Sequence, residues 1–218
     1  MRPPPPETVE VLRQRARRLA GASAEDLAAA LGVQRPDPRR SKGWLGEAIE
    51  RLLGAHAGNL PVPDFPALGV ECKTLPVTPE GQPRESTYVT TAPLEPGWPR
   101  WDHSPVRAKL SHVLWVPIVA TATGPRVGRA FLWVPTAAQE AVLASDWETF
   151  ADVAAQGEHR LLQGRLGTAL QVRPKGRNAA DTAWVVDEEG ERVRATRRGI
   201  YLRPAFTAAI LSEALRVG

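Results

Sequence analysis

Cysteine is almost absent from this sequence of 218 residues, which contains only Cys72. A single cysteine excludes an intrachain disulfide bond, and such low cysteine content is typical of a reducing compartment. We therefore expect a cytoplasmic protein. Because Cys72 lies within an apolar segment, we expect its side chain to pack in the core rather than to act as a nucleophile.

Long apolar segments are also missing. The longest one, Val113 to Ala120, is far shorter than the roughly 20 residues that a membrane-spanning helix needs. The segment Met1–Pro6 is rich in proline and lacks the apolar core of a signal peptide. The sequence therefore predicts a protein that neither spans a membrane nor is exported.

Lysine is also scarce, because 24 of the 28 basic residues are arginine. The four lysines are Lys42, Lys73, Lys109 and Lys175. An ammonium group can shift its pKa at a reacting centre, whereas a guanidinium group stays charged, so each lysine here is a candidate functional residue. The net charge of +4 suits a polyanionic partner, and the basic excess lies mainly beyond Arg160.

Two carboxylates and an ammonium group are expected to meet at one point of the chain. Glu71 and Lys73 flank Cys72 in a predicted strand, Leu68–Leu75, so their side chains share one face. Asp64 precedes that strand and can fold back beside them. Carboxylate oxygens are the ligands that Mg²⁺ prefers, and a lysine beside the metal can orient or deprotonate a water. This spacing predicts metal-assisted attack on a phosphodiester.

Helical and strand patterns alternate along the whole chain, which predicts an α/β or α+β fold without independent domains. Predicted helices cover Glu7–Ala20, Ser23–Gly32, Gly43–Leu53, Ser104–Lys109, Ala137–Gln156 (as one helix or two) and Ala205–Leu215. Predicted strands cover Leu68–Leu75, Ser86–Thr91, Val113–Val119, Val127–Val134, Ala169–Val172, Val193–Ala195 and Ile200–Leu202. A turn at Pro79–Pro83 predicts that the first two strands form a β-hairpin.

Several collinear segments resemble the MutH-type DNA mismatch-repair endonucleases, relatives of type II restriction enzymes with an Asp…Glu-x-Lys core. These segments are Lys42–Gly46, Leu53–Gly58, Asp64–Val77, Val106–Leu110, Val113–Pro117, Leu170–Lys175 and Arg198–Leu202. All four lysines lie within them. Together they extend over nearly the whole chain and are far more specific than the three-residue motif alone.

The resemblance implies one endonuclease domain, residues 1–218, with a restriction-endonuclease-like core. A mixed central sheet flanked by helices would form two lobes around a DNA-binding cleft. The N-terminal lobe, about residues 1–110, would carry the catalytic site, and the C-terminal lobe the recognition loop. The implied activity is that of a monomeric, Mg²⁺-dependent enzyme that acts with MutS and MutL. It would nick the unmethylated strand of double-stranded DNA at hemimethylated GATC sites.

The resemblance also implies roles for individual residues. Asp64, Glu71 and the backbone carbonyl of Cys72 would hold the metal, and Lys73 would position or activate the water. Glu50 and Lys109 would complete the catalytic site. Taken from the residues alone, Glu47 competes with Glu50 as the acidic residue of that helix, and Lys109 is equally a lysine favoured by a helix C-terminus.

Recognition of DNA is expected from a loop after a strand in the C-terminal half. The resemblance implies that Arg173 and Lys175, on either side of Pro174, contact base edges or phosphates. It also implies that Tyr201 lies near the adenine methyl position and that Lys42 contacts DNA. Without the resemblance, residues 173–175 would be interpreted as a solvated basic turn and Tyr201 as a half-buried strand residue.

Two further functions are compatible with the same residues. One is a restriction-type endonuclease that cuts both strands, and the other is a DNA-binding module with an inactive site. The intact Asp64, Glu71 and Lys73 argue against the inactive module, because such a module would have little reason to retain a lysine in so arginine-rich a chain.

Overall fold

The computed structural model describes residues 3–37, 43–56, 62–93, 97–158, 161–162, 164–175, 182–186 and 189–217. The helices are α1 (Val9–Arg18), α2 (Ala24–Leu31), α3 (Trp44–Leu53), α4 (Pro105–Leu110), α5 (Ala137–Ala155) and α6 (Pro204–Val217). The strands are β1 (Glu71–Val77), β2 (Thr87–Thr91), β3 (Val113–Val119), β4 (Arg126–Val127), β5 (Phe131–Trp133), β6 (Leu170–Pro174), β7 (Thr182–Val186), β8 (Arg192–Thr196) and β9 (Arg198–Leu202). The mixed α/β class predicted from the sequence is confirmed.

The chain divides into two compact units, each assembled from separate segments. The first contains Met1–Arg84, Ser111–Val134 and Ile210–Gly218, and the second contains Glu85–Leu110 and Pro135–Ala209. None of the helices in the described ranges is long and apolar enough to cross a membrane.

Side-chain caps begin the first two helices. The Thr8 side chain accepts the Val11 N–H at the start of α1. At the start of α2, the Ser23 side chain accepts the Asp26 N–H at 3.1 Å, while Asp26 accepts the Ser23 N–H at 2.9 Å. This reciprocal capping box satisfies backbone donors that the helix itself cannot pair.

Helix α3 ends at Gly54, which adopts the left-handed conformation of a C-cap and lies in close contact with the N-terminal segment. Its φ is 90°, and a Cβ atom there would lie 2.6 Å from the Pro4 carbonyl oxygen. The Arg15 guanidinium donates to the same carbonyl at 2.6 Å and to the Leu53 carbonyl at 2.9 Å. The end of α3 is thereby held against α1.

The sheet of the first unit is built on β3. Strand β1 pairs with β3 in parallel, from Glu71 opposite Val113 to Val77 opposite Val119. Both β4 and β5 pair with β3 in the antiparallel sense. The buried cluster of this unit includes Leu12, Ile49 and Leu114, from α1, α3 and β3.

The predicted hairpin between β1 and β2 is wrong. Strand β2 pairs antiparallel with β9, which also pairs with β6, so β2 belongs to a three-stranded sheet in the second unit. The turn after β1 instead brings the chain back on itself, with a bridge between Val77 and Pro83 and an Arg84 N–H donated to the Pro76 carbonyl at 2.9 Å.

Other predicted boundaries also change. Strand β1 begins at Glu71, because Pro66–Leu68 is a 3-10 helix that ends at Gly69 with φ 63°. The segment Val127–Val134 forms two short strands rather than one. Helix α5 is a single helix, and Asp146 is buried within it. The strand β7 was not predicted.

Candidate active site

Asp64 is fixed at the start of β1 by the turn that follows it. Phe65 and Val70 form an isolated antiparallel bridge, in which the Phe65 N–H donates to the Val70 carbonyl at 2.9 Å. The bridge places the start of β1 next to Asp64. The Asp64 Oδ2 accepts the Cys72 N–H at 2.9 Å. Asp64 therefore folds back beside β1 as predicted, and the residue is only 9% exposed.

The backbone of Cys72 is directed toward the same edge of β1 as Asp64. The N–H of Glu71 donates to the His112 carbonyl at 3.0 Å, on the β3 side of the strand. Because successive residues of a strand direct their N–H and C=O groups to alternate edges, the Cys72 N–H and C=O both point away from β3. The Cys72 carbonyl oxygen therefore faces the edge at which Asp64 lies.

The Cys72 side chain packs in the apolar core of the first unit, as predicted. It is 4% exposed and belongs to the same cluster as Leu114. Burial raises the pKa of the Cys72 thiol well above its ordinary value, with the charge of Glu50 adding to the effect. A thiol that stays protonated in an apolar core is a poor nucleophile.

Glu71 and Lys73 meet on the face opposite to Cys72. The Lys73 Nζ donates to Glu71 Oε1 at 2.6 Å, and the two side chains are among the few buried charged groups in the described part of the chain. Alternation along β1 produces this pair directly. A buried charge-assisted hydrogen bond of this length is strong and fixes both groups in orientation.

Glu50 lies near this group on α3, one turn after Glu47. Burial raises the pKa of Glu50 to about 7, and the Asp64 carboxylate adds to the increase, whereas Lys73 lowers it. Glu47 is exposed. The two candidates on this helix are therefore distinguished by their surroundings, since Glu50 shares the electrostatic environment of Asp64 and Lys73.

The donor atoms at the start of β1 fit a hard divalent cation. Asp64 and Glu71 supply carboxylate oxygens, and Cys72 supplies a carbonyl oxygen at the same edge of the strand as Asp64. No group of three or more His, Cys, Asp or Glu side chains in the described residues forms a complete metal site. Mg²⁺ does not need one, because it commonly retains several waters and binds through one or two carboxylates.

The other predicted catalytic lysine lies in the second unit. Lys109 is half-buried in the last turn of α4. This helix begins as predicted, with Ser104 Oγ accepting the Arg107 N–H at 3.0 Å and Pro105 in the first helical position. The prediction for Lys42 concerns a residue outside the described ranges.

The predicted recognition residues come together on the sheet formed by β2, β9 and β6. Arg173 and Pro174 were predicted in a loop but form the end of β6, because they pair with Gly199 and Arg198 of β9. Lys175 follows the strand directly, and its N–H donates to the Arg197 carbonyl at 2.8 Å.

Tyr201 faces these basic groups from the central strand β9. The Arg173 guanidinium carbon lies 5.8 Å from the centre of the Tyr201 ring. Burial raises the pKa of the Tyr201 hydroxyl, so this group stays protonated and able to donate a hydrogen bond. Arg173, Lys175 and Tyr201 thus form one aromatic and basic cluster.

A second tyrosine of this cluster was not predicted from the sequence. Tyr88 lies opposite Tyr201 in the register of β2 and β9, with ring centres 5.3 Å apart in an edge-to-face arrangement. The Lys175 Nζ lies 3.4 Å from the centre of the Tyr88 ring, a cation–π contact. These are the only two tyrosines in the sequence, and this scarcity could have marked Tyr88 as a candidate.

Ser86 is a further residue that the sequence analysis did not assign. Its Oγ accepts a hydrogen bond from Gln171 Nε2 at 2.6 Å and another from Arg173 Nη1 at 3.3 Å. The hydroxyl therefore orients the exposed arginine at the end of β6.

Comparisons with known proteins agree on one family. A family model described as "DNA mismatch repair enzyme MutH" matches residues 53–146. The DNA mismatch repair protein MutH of Shewanella amazonensis is 44% identical over 218 residues, which cover 97% of each chain. The MutH proteins of Serratia proteamaculans and Escherichia coli K12 are each 41% identical, over 97% and 96% of this chain and 95% and 94% of their own length.

Proposed function

This chain belongs to the MutH family of DNA mismatch repair endonucleases, and we propose that it nicks the unmethylated strand of hemimethylated GATC sites with Mg²⁺ as cofactor. The observation that carries the proposal is the convergence of Asp64, Glu71 and Lys73 at the start of β1. Membership of this family makes the protein a mismatch repair endonuclease with a restriction-endonuclease-like fold.

In this proposal Asp64, Glu71 and the Cys72 carbonyl hold the metal. Bound Mg²⁺ supplies Lewis acidity toward a phosphoryl oxygen and acts as a template for in-line displacement. The remaining chemistry belongs to the chain. Lys73 would position the attacking water or, as the neutral amine, would accept its proton, and its contact with Glu71 at 2.6 Å keeps Nζ next to the metal ligands.

Two further residues are proposed as catalytic. Glu50 is supported by its raised pKa, which reflects burial close to the Asp64 charge and marks it as part of the same electrostatic group. Lys109 is supported by its half-buried position on α4 and by the scarcity of lysine in this chain.

DNA recognition is proposed for the cluster on β6 and β9. Arg173 is exposed, and Ser86 orients its guanidinium, a fork that suits the O6 and N7 atoms of guanine in the major groove. Pro174 ends the strand, and Lys175 would then contact a base edge or a phosphate. We propose that Tyr201 lies near the adenine methyl position and that Lys42 contacts the DNA backbone.

The family implies that the protein binds DNA and takes part in the repair system. We propose that its partners are proteins of the MutL and MutS types and that it works as a monomer in the cytoplasm. Stimulation of nicking by MutL would be the direct test of that partnership.

The proposed activity is tested by cleavage of unmethylated, hemimethylated and fully methylated GATC duplexes in Mg²⁺. We expect nicks in the unmethylated strand only, and loss of at least about a hundredfold in rate in Asp64→Asn. Glu47→Gln, which removes an exposed charge from α3, is the matched control and should nick normally. Full activity of Asp64→Asn would contradict the site assignment, and cleavage of both strands without strand bias would favour a restriction-type enzyme.

A further inference from the structure

The hairpin of β7 and β8 exposes a tryptophan to solvent. The strands are antiparallel, and Trp184 lies directly opposite Arg194. Trp184 is 48% exposed, whereas its neighbour Val185 is 5% exposed. Because side chains alternate along a strand, Val185 and Trp184 lie on opposite faces of the hairpin, and the face that carries Trp184 also carries Arg194. Tryptophan is enriched at interaction surfaces, because its ring is apolar and its N–H is polar.

Two arginines share the exposed face with Trp184. The guanidinium carbon of Arg194 lies 4.6 Å from the centre of the Trp184 ring, and that of Arg192 lies 5.7 Å from it. The Arg194 guanidinium also donates to Thr182 Oγ1 at 3.4 Å. The indole ring and this hydroxyl therefore hold the guanidinium groups in place, which lowers the conformational entropy lost when they bind a ligand.

The basic and acidic residues of this hairpin lie at different places. Within the described part of the chain, neither Arg192 nor Arg194 forms an ion pair with a carboxylate. The exposed acidic residues Glu189 and Glu191 lie at the turn between the strands. The two arginines thus lie on the face of the hairpin, whereas its turn is acidic and unsuited to approach a phosphate.

We propose that Trp184, Arg192 and Arg194, which we call the hairpin face, bind the phosphate backbone of duplex DNA independently of base sequence. The inference rests on the proposed function in that duplex DNA is the substrate. It assigns a contact separate from Arg173, Lys175 and Tyr201. Preordered guanidinium groups suit phosphate oxygens, and the indole ring can pack against the sugar between them.

Metal-free binding of labelled duplexes, measured by fluorescence anisotropy over a salt series, tests the hairpin face without relying on cleavage. The double variant Arg192→Ala/Arg194→Ala should lower the slope of log affinity against log salt by about 2, because two phosphate contacts are lost. Its affinity should fall on the order of tenfold or more at 0.1 M salt, equally for duplexes with and without GATC.

Three control variants separate specific contact from net charge. Arg13→Ala/Arg17→Ala on α1 removes the same number of charges and should keep the wild-type slope. Arg192→Lys/Arg194→Lys retains both charges and should keep most of the slope. Trp184→Phe retains a ring for the cation–π contacts and should bind DNA within about twofold of wild type. Thermal unfolding of each variant checks that the fold is intact.

The proposal is overturned if the double alanine variant binds with the same slope and affinity as the α1 control. It is likewise overturned if DNA binding is unchanged and only stimulation by a MutL-type protein is lost, because the hairpin face would then bind protein. Failure of GATC nicking in the wild-type protein would instead contradict the proposed function and leave the salt dependence of binding interpretable.

Discussion

The Lys73 ammonium and the Glu71 carboxylate form a buried ion pair with 2.6 Å between Nζ and Oε1. Such pairs contribute little net stability, because removing two charges from water costs about as much as their attraction returns. Their retention therefore calls for another explanation. In this chain the pair lies beside Asp64, and the catalytic role proposed for all three groups would account for it.

Substitutions of Lys73 should distinguish the effect of its positive charge from its ability to transfer a proton. Lys73→Arg keeps a positive charge, but a guanidinium group cannot release a proton to serve as a base, so we expect nicking to fall at least about a hundredfold. Lys73→Met leaves the buried Glu71 carboxylate without this ammonium and should lower the free energy of unfolding by about 3–5 kcal/mol in urea denaturation. Nicking by Lys73→Arg at the wild-type rate would exclude proton transfer by this residue.

Glu50 and Glu47 offer a matched pair on α3. We expect Glu50→Gln to lower the nicking rate about tenfold to a hundredfold, because it removes a half-buried charge from the environment of Asp64. The metal-free protein should not lose stability, since the substitution also removes repulsion between carboxylates. Glu47→Gln should change neither quantity. Equal effects of the two substitutions on nicking would contradict the role proposed for Glu50.

Local signals in the sequence were sufficient for much of the candidate site. Capping residues define the starts of α2 and α4, and the alternation around Cys72 places Glu71 and Lys73 on one face. Each of these features depends on residues close together in the chain. The proline-rich approach to β1 is likewise local, and it correctly predicted the position of Asp64.

Pairing between distant segments could not be predicted in the same way. The turn after β1 favours a hairpin, yet β2 pairs with β9, more than a hundred residues later. The Tyr88 contact with Tyr201 depends on that pairing, so no local pattern could indicate it. Strand β7 could have been predicted from the sequence, because Thr182–Val186 is composed largely of Thr, Trp and Val, which favour strands.

Asp146 should support the recognition strand from a distance. Its carboxylate accepts the N–H groups of Thr168, Ala169 and Leu170 at 2.8, 2.7 and 2.7 Å, directly before and at the start of β6. Asp146→Asn places an amide N–H₂ against one of these donors and should lower the free energy of unfolding by about 1–3 kcal/mol. Asp152→Asn changes an exposed residue of the same helix α5 and is the matched control. Equal stability of the two variants would show that these hydrogen bonds add little.

Gly199 leaves room for the two tyrosine rings. A Cβ atom there would lie 2.9 Å from Tyr201 Cε2, 3.1 Å from Tyr88 Cε2 and 3.4 Å from Lys175 Cδ. The methyl group of Gly199→Ala must therefore displace these side chains, at an overpacking cost of about 1–3 kcal/mol.

Gly199→Ala should lower the selectivity for GATC over other sequences more than it lowers the rate of nicking at GATC. We expect the ratio of nicking rates on GATC and a one-base variant to fall on the order of tenfold, because Lys175 and Tyr201 move while Asp64 and Lys73 lie in the other unit. Gly164→Ala is the matched control, since its Cβ atom would be 3.6 Å from Gln171 Oε1, an ordinary contact distance. If Gly199→Ala retained wild-type selectivity, the tyrosine and lysine cluster would not be the element that distinguishes the base sequence.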